Sequence, residues 1–348
     1  MKRPSIPMDL FQLTRALIDI DSVTGNERRI GDFLVDHLSA LAADSGGRVE
    51  RMTVDADRFN VFAAWGRPDV VLSTHMDTVP PFFPSAEDGE HIHGRGACDT
   101  KGAIAAMIGA AAALLSSGGR GFGLLFVVGE ETDSLGAQVA ERNPRGARFL
   151  VNGEPTENRL AVGSKGALYL AVEAAGRAAH SAYPELGASA IDRLLAALAR
   201  LREVPLPADP LLGETTLNIG TLAGGRAANV VADEARAEVM ARTVGDTAEL
   251  RQSLAAAVEG VSGVRIVETR ESPAMRLGSL PGFATTVVKY TSDIPRLPSW
   301  GEPYLLGPGS IHVAHTAKER VAKTELVDAV RLYGELVHRL QCGIQGGI

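Results

Sequence analysis

Only two cysteines, Cys98 and Cys342, occur among 348 residues. That is too few for a disulfide framework in a chain this long, and a reducing, cytoplasmic setting is the simplest expectation. Aromatic residues are also scarce, at 5%, so the core must come largely from aliphatic side chains and alanine. No uninterrupted run of about 18 apolar residues is present, which argues against a membrane span. Met1-Lys2-Arg3 superficially matches the start of a signal peptide, but Pro4, Pro7 and Asp9 interrupt the apolar segment a leader needs. Excess positive charge is missing too. A formal net charge of −7 gives no electrostatic reason to expect nucleic acid or an anionic membrane as a partner.

What is present reads as a globular α/β protein. The length exceeds one ordinary core of roughly 100–200 residues, so two domains are expected. Residues 8–43 read as two helices: Leu10, Leu13, Leu17 and Ile20 recur at helical spacing, and Thr24-Gly25-Asn26-Glu27 offers a cap for the second. Apolar strands at 70–72, 124–128 and 148–151 then alternate with an alanine-rich helix at 101–117. Such strands imply a mixed, largely parallel sheet with helices on both faces. From 166 the order becomes strand, helix (187–203), two strands (214–222, 233–243), helix (246–259) and strand (263–268). That is the ferredoxin-like split unit. The expected organisation is a first domain with segments 1–165 and 275–348 and an inserted α+β domain at 166–274. The returning segment should carry a helix, a strand at 303–306, a glycine-rich loop and a last helix from about 323.

Five short motifs carry chemistry. In Ser73-Thr74-His75-Met76-Asp77-Thr78, an extended backbone points His75 and Asp77 to one side, as suits a histidine ligand beside an orienting carboxylate. A surface turn would give the same pattern. Gly94-Arg95-Gly96-Ala97-Cys98-Asp99 puts Asp99 near a helix start, where it could ligate a cation or only cap the helix. Glu130 and Glu131 follow a buried strand, a place where adjacent carboxylates call for solvent, protons or a cation. Glu154 repeats that placement after the next strand, and Gly307-Pro308-Gly309 is followed by His312 and His315. Carboxyl ends of strands are where open α/β sheets place their sites. The glycine-rich stretch before Asp99 lacks the ending of a phosphate loop.

In this order the motifs resemble those of the zinc amidohydrolases that include acetylornithine deacetylase, succinyl-diaminopimelate desuccinylase, aminoacylase and glutamate carboxypeptidase, along nearly the whole chain. The resemblance implies a zinc-peptidase-like fold whose inserted domain is a lid or dimerisation domain, and two Zn2+ ions, replaceable by Co2+ or Mn2+. It assigns His75 and Glu154 to one ion, Glu131 and His315 to the other, and Asp99 to both. Asp77 orients His75 and Glu130 is the general base. Three carboxylates (−3) against two divalent ions (+4) leave +1, suited to holding a hydroxide.

The inserted domain adds His180, in Ala179-His180-Ser181, which the resemblance places at the oxyanion from the neighbouring subunit of a homodimer. Asn229, Arg242 and Lys165 match substrate-binding positions, with an arginine suited to gripping a carboxylate. A surface histidine, a turn asparagine and an exposed arginine are the plainer readings. His91 and His93 fall where the family has a structural hairpin, and Cys98 reads as packing. His315 is preferred over His312 because its spacing to Glu319 fits the family better. Glu154 is similar to deacylases and carboxypeptidases rather than aminopeptidases or dipeptidases, Gly163-Ser164-Lys165-Gly166 to deacylases, and Thr291-Ser292-Asp293 to a lysine-biosynthesis branch in which Tyr290 is atypical. The implied reaction is amide hydrolysis of an N-acyl amino acid, with a metallo-carboxypeptidase or dipeptidase acting on short peptides as the alternative. A non-catalytic metal-dependent binding protein would have lost Glu130 or a ligand, and all are present.

Overall fold

Apolar strands at 59–65, 70–75 and 122–127 are buried at every position, so each must be covered on both faces. The computed structural model describes residues 9–343; Met1-Lys2-Arg3, Pro4 and Pro7 lie outside them. In chain order come α1 (Leu10–Ile18), α2 (Arg28–Ser45), β1 (Arg48–Thr53), β2 (Phe59–Trp65), β3 (Val70–His75), α3 (Gly102–Ser116), β4 (Phe122–Val127), α4 (Leu135–Glu141), β5 (Phe149–Asn152) and β6 (Leu160–Ser164). There follow β7 (Gly166–Ala175), α5 (Ala190–Arg202), β8 (Thr216–Gly224), β9 (Glu234–Thr243), α6 (Ala248–Val258), β10 (Val264–Ser272), β11 (Glu302–Leu305) and α7 (Lys323–Gln341). The chain forms two units. One holds the segment up to Val162, Leu277–Thr286 and the segment from Ser292 on; the other holds Gly163–Arg276 and Val287–Thr291.

In the first unit the strands run β1-β2-β4-β3-β5-β11-β6. The centre, β4-β3-β5-β11, is parallel, and antiparallel pairs flank it on both sides. Its register sets His75 opposite Val127, Ser73 opposite Asn152, and Leu305 opposite Asn152. Four carboxyl ends therefore meet at one edge. Leu17, Leu34, Trp65, Leu72, Phe126, Val151 and Leu336 fill the core, where each large side chain taken from water contributes about 1.5–3 kcal/mol. Ala97–Ser116, containing α3, is long and apolar enough to match a membrane span by composition, but its surface is mostly buried in this core.

The second unit has the four-stranded antiparallel order β8-β9-β7-β10, with the strand-helix-strand-strand-helix-strand succession of the split unit. Leu168, Leu170 and Val172 of β7 and Val239 of β9 pack against Leu194, Leu198, Leu250 and Leu254 of α5 and α6. Along β9, exposed Glu234, Arg236 and Glu238 alternate with buried Ala235, Ala237 and Val239.

Two local expectations fail. The helix anticipated after 275 does not form. Thr285–Val288 is a short strand and Ile294–Arg296 and Pro298–Trp300 are single turns, because Pro281, Pro295 and Pro298 remove amide donors at short intervals. Trp300 is wholly buried there, and its indole N–H donates to Ala140 O at 3.2 Å. Nor does Thr24 cap α2. The helix starts after Glu27 with no side-chain cap, and the Thr24 hydroxyl serves the site described next.

Candidate metal centre

His75 closes β3, and Asp99 sits in the kinked turn Ala97–Lys101 ahead of α3 with an extended, non-capping backbone (φ −124°, ψ 83°). Asp99 therefore does not cap the helix. One of its carboxylate oxygens lies 3.0 Å from His75 Nε2 and the other 3.1 Å from His315 Nε2. His315 Nε2 is also 3.1 Å from Glu131 Oε1. Ligand atoms of His75, Asp99 and Glu131 all fall within 4.8 Å of one another. His312, three residues before His315, is exposed and makes no such contact.

Asp77 does more than orient an imidazole. His75 Nδ1 is 2.9 Å from the backbone carbonyl of Asp77 and 3.5 Å from its carboxylate, so the carbonyl fixes the ring and leaves Nε2 facing Asp99. The Asp77 carboxylate instead accepts the backbone N–H groups of Glu130 (3.1 Å) and Glu131 (3.2 Å) and the Thr24 hydroxyl (2.8 Å). Thr100 donates to His75 O at 2.8 Å and Thr74 to Gly153 O at 2.6 Å, tying β3 to the Asp99 turn and to the segment that carries Glu154.

Electrostatics show the strain of collecting these groups. Burial, reinforced by neighbouring carboxylates, pushes Glu130 and Glu154 well above the usual range although His75 opposes it. Burial likewise raises Glu131 against the pull of His315. Burial also raises Asp99, but hydrogen bonds from His315 and His75 outweigh it and hold the carboxyl low. His315 is pushed up to about 10 by Asp99 and Glu131. Burial disfavours a charged His75, yet Asp77 and Asp99 keep it well above its ordinary value. Protons and imidazolium charge are thus what offset a cluster of buried anions, and a cation can replace both.

The donor set fits divalent metal. Glu154 is 5% exposed and its Oε1 is buried without a hydrogen-bond partner, a position a metal would satisfy. His75, Asp99 and Glu131 converge as a candidate metal site, and His315 lies against Asp99 and Glu131. Mixed imidazole and carboxylate ligation suits zinc and admits cobalt or manganese.

Other expected residues are placed as follows. His91 and His93 lie on a short strand between Ala86–Glu87 and Arg320–Ala322, with His93 2.8 Å from Asp88. Cys98 is buried beneath Gly309, whose φ of +88° and 2.4 Å approach (from an added Cβ to Cys98 Cβ) leave room for glycine only. Lys165 belongs to the second unit, is 5% exposed, and gives its ammonium to Glu214 O. That bond uses one of the three donors of the ammonium. His180 and Asn229, also in the second unit, are brought together: His180 bridges Val230, and Ser181 N donates to Asn229 O at 3.0 Å. Arg242 lies near the far end of β9, where its backbone pairs with Thr216 and Ala167, and its side chain forms no hydrogen bond or ion pair among the described residues.

Sequence reasoning missed Asp293 and the task of Glu319. Asp293 is 1% exposed, and burial raises it to about 7 against the opposing influence of the Ser134 hydroxyl. Only the local string Thr291-Ser292-Asp293 hinted at it. Glu319, buried beside Asp99, had served merely as a spacing mark for His315.

Known proteins resemble this chain in sequence and in fold. The model of peptidase family M20/M25/M40 matches residues 71–339. A peptidase M20 domain-containing protein of Schizosaccharomyces pombe is 40% identical over 94% of this chain and 84% of its own length. A probable carboxypeptidase of Aspergillus niger is 39% identical over 93% of this chain and 88% of its own. Among solved structures, a tripeptidase of Staphylococcus aureus superposes with a TM-score of 0.81 at 23% identity, over 96% of this chain and 98% of that one, which is a likeness of fold.

Proposed function

This chain belongs to peptidase family M20/M25/M40 and is a metal-dependent hydrolase, and we propose that it cleaves an amide bond whose amine side carries a free carboxylate. The acyl side is then either a simple acyl group, making the enzyme an N-acyl-amino-acid deacylase, or a peptidyl group, making it a carboxypeptidase. The names of the fungal relatives favour the second and the Gly163-Ser164-Lys165-Gly166 segment favours the first, while Glu154 accords with both. The observation that carries the reading is Asp99, which turns one oxygen to each of two imidazoles.

Two zinc ions held by His75, Asp99, Glu131, Glu154 and His315 would polarise the scissile carbonyl and acidify water at neutral pH. The protein's own part is the proton. Glu130, raised by burial, accepts one from the attacking water and hands it to the departing amine. Asp77 holds the backbone of Glu130 while this happens.

His180 serves the oxyanion in this reading. Its Nδ1 accepts the Ala182 N–H at 3.1 Å, so the neutral ring carries its proton on Nε2 and has a donor to offer. Arg242, whose side chain has no ion-pair partner among the described residues, receives the carboxylate. His180 and Asn229 belong to the segments that lead into the Glu234 end of β9, whereas Arg242 lies near its other end, roughly 26 Å along the strand from Glu234 at about 3.3 Å per residue. One second unit cannot close both on a small substrate, which supports a homodimer in which the neighbouring copy supplies His180 and Asn229.

A substrate panel tests this. N-acetyl amino acids, N-succinyl-diaminopimelate, N-blocked dipeptides, free dipeptides and their C-terminal amides would be compared with and without chelator. Turnover should require metal and a free carboxylate. Unimpaired cleavage of the C-terminal amides, or full activity after exhaustive chelation, would overturn the proposal; exclusive use of free dipeptides would sink the deacylase form.

A further inference from the structure

Arg95 and Glu319 form an ion pair whose side chains are 2% and 0% exposed, with the charged atoms 2.6 Å apart. Desolvating such a pair is costly, so it is weak support for stability by itself, and its position points to another task. The second carboxylate oxygen of Glu319 accepts the backbone N–H of Asp99 at 3.3 Å and lies 3.7 Å from Cys98 Sγ. Its own backbone is pinned as well: the carbonyl accepts Gly94 N–H at 3.2 Å, and the amide donates to Thr316 O at 3.3 Å. Arg95 is fixed in turn by a bond from Nε to Pro81 O at 3.2 Å and by the Phe83 ring 4.9 Å away.

Glu319 thus stands where the Asp99 turn meets the His315 loop, and each brings a donor for the same ion. His315 has a φ of 61°, a left-handed conformation uncommon for a residue with a Cβ, so its loop needs an external hold. We propose that Glu319, clamped by Arg95, is a positioning residue for the ion of Asp99, Glu131 and His315 and governs how tightly that ion binds. The inference rests on the two-metal reading above. The other ion draws on His75 and Glu154, which sheet register and the Thr74 and Thr100 hydroxyls hold in place. Removing a group that orients a ligand commonly costs about 10–100-fold in metal affinity.

The test is stepwise Zn2+ titration of the metal-free full chain against a competing chelator, which reads two affinities. Fewer than two ions in the wild type would overturn the two-metal reading and this inference with it. Glu319→Gln keeps the shape but turns an amide toward Arg95. It should weaken one ion by about 10–100-fold and spare the other, matching His315→Ala rather than Glu154→Gln. Arg95→Lys keeps the charge, loses the bond to Pro81, and should shift the same ion, which covers a Glu319→Gln protein that does not fold. Wild-type binding of both ions in the folded variants, or equal loss at both, overturns this inference alone.

Discussion

Asp77 Oδ1 accepts the backbone N–H of Glu130 at 3.1 Å, so the residue whose carbonyl fixes the His75 ring also anchors, through its carboxylate, the proposed base. The companion bond from Glu131 N–H to Oδ2, at 3.2 Å, extends this hold to a metal donor on the same loop. In Asp77→Asn one oxygen becomes an NH2 group facing an amide donor. We expect kcat to fall by about 10–100-fold with both ions still bound at saturating metal. Steady-state kinetics with metal analysis on the same preparation would decide it; wild-type kcat would remove Asp77 as an anchor.

Glu130→Gln should leave the ligands intact and remove the base. The expected outcome is two ions per chain and a kcat lower by about 10²–10⁴-fold, the usual contribution of general acid–base catalysis. Near-normal turnover in the metal-loaded variant would assign the proton to another group.

Metal loading should release protons. His315 is raised from its ordinary 6.5 to about 10 by Asp99 and Glu131, so in metal-free protein it is protonated at pH 8 and must lose that proton to ligate. Apparent affinity should therefore climb with pH. The metal-free fold behaves oppositely. Stability from the raised His315 is complete below pH 6.5 and lost as pH rises through about 10, discounted because half the side chain is exposed. Calorimetric zinc titrations at pH 8 in buffers of different ionisation enthalpy would show the release; buffer-independent heat would contradict it.

Gly309→Ala should destabilise the first unit by about 1–3 kcal/mol, since the new Cβ meets Cys98 Cβ at 2.4 Å in a backbone that disfavours any side chain. Urea unfolding would measure the loss. Adding Cys98→Gly should relieve the contact, and no partial recovery in the double variant would mean that φ alone sets the cost.

Much of this was legible because period and burial agree. Strands buried on both faces announced the parallel sheet, and alternation along 168–172 announced the second unit. His75, Asp99, Glu131 and His315 were legible because each follows an apolar strand or a glycine-bearing turn. Backbone partners were not. Nothing in the string says that Asp77 will bind the amides of residues 53 and 54 positions away, or that Glu319 will meet Asp99 across 220. Nor does it say that the Glu214 carbonyl will hold the Lys165 ammonium. The missing helix after 275 was a simpler error, in which apolar content outweighed three prolines.

The sheet order also dictates a schedule. β11, near the end of the chain, is seated between β5 and β6, which are made about 150 residues earlier. While the ribosome is still at the second unit, that slot is vacant and His315 has not been translated. A nascent chain therefore carries β3, Asp99 and the glutamates without the donor that completes the pair. On the two-metal reading, hydrolytic competence would arrive only when about the last tenth of the polypeptide has emerged and inserted.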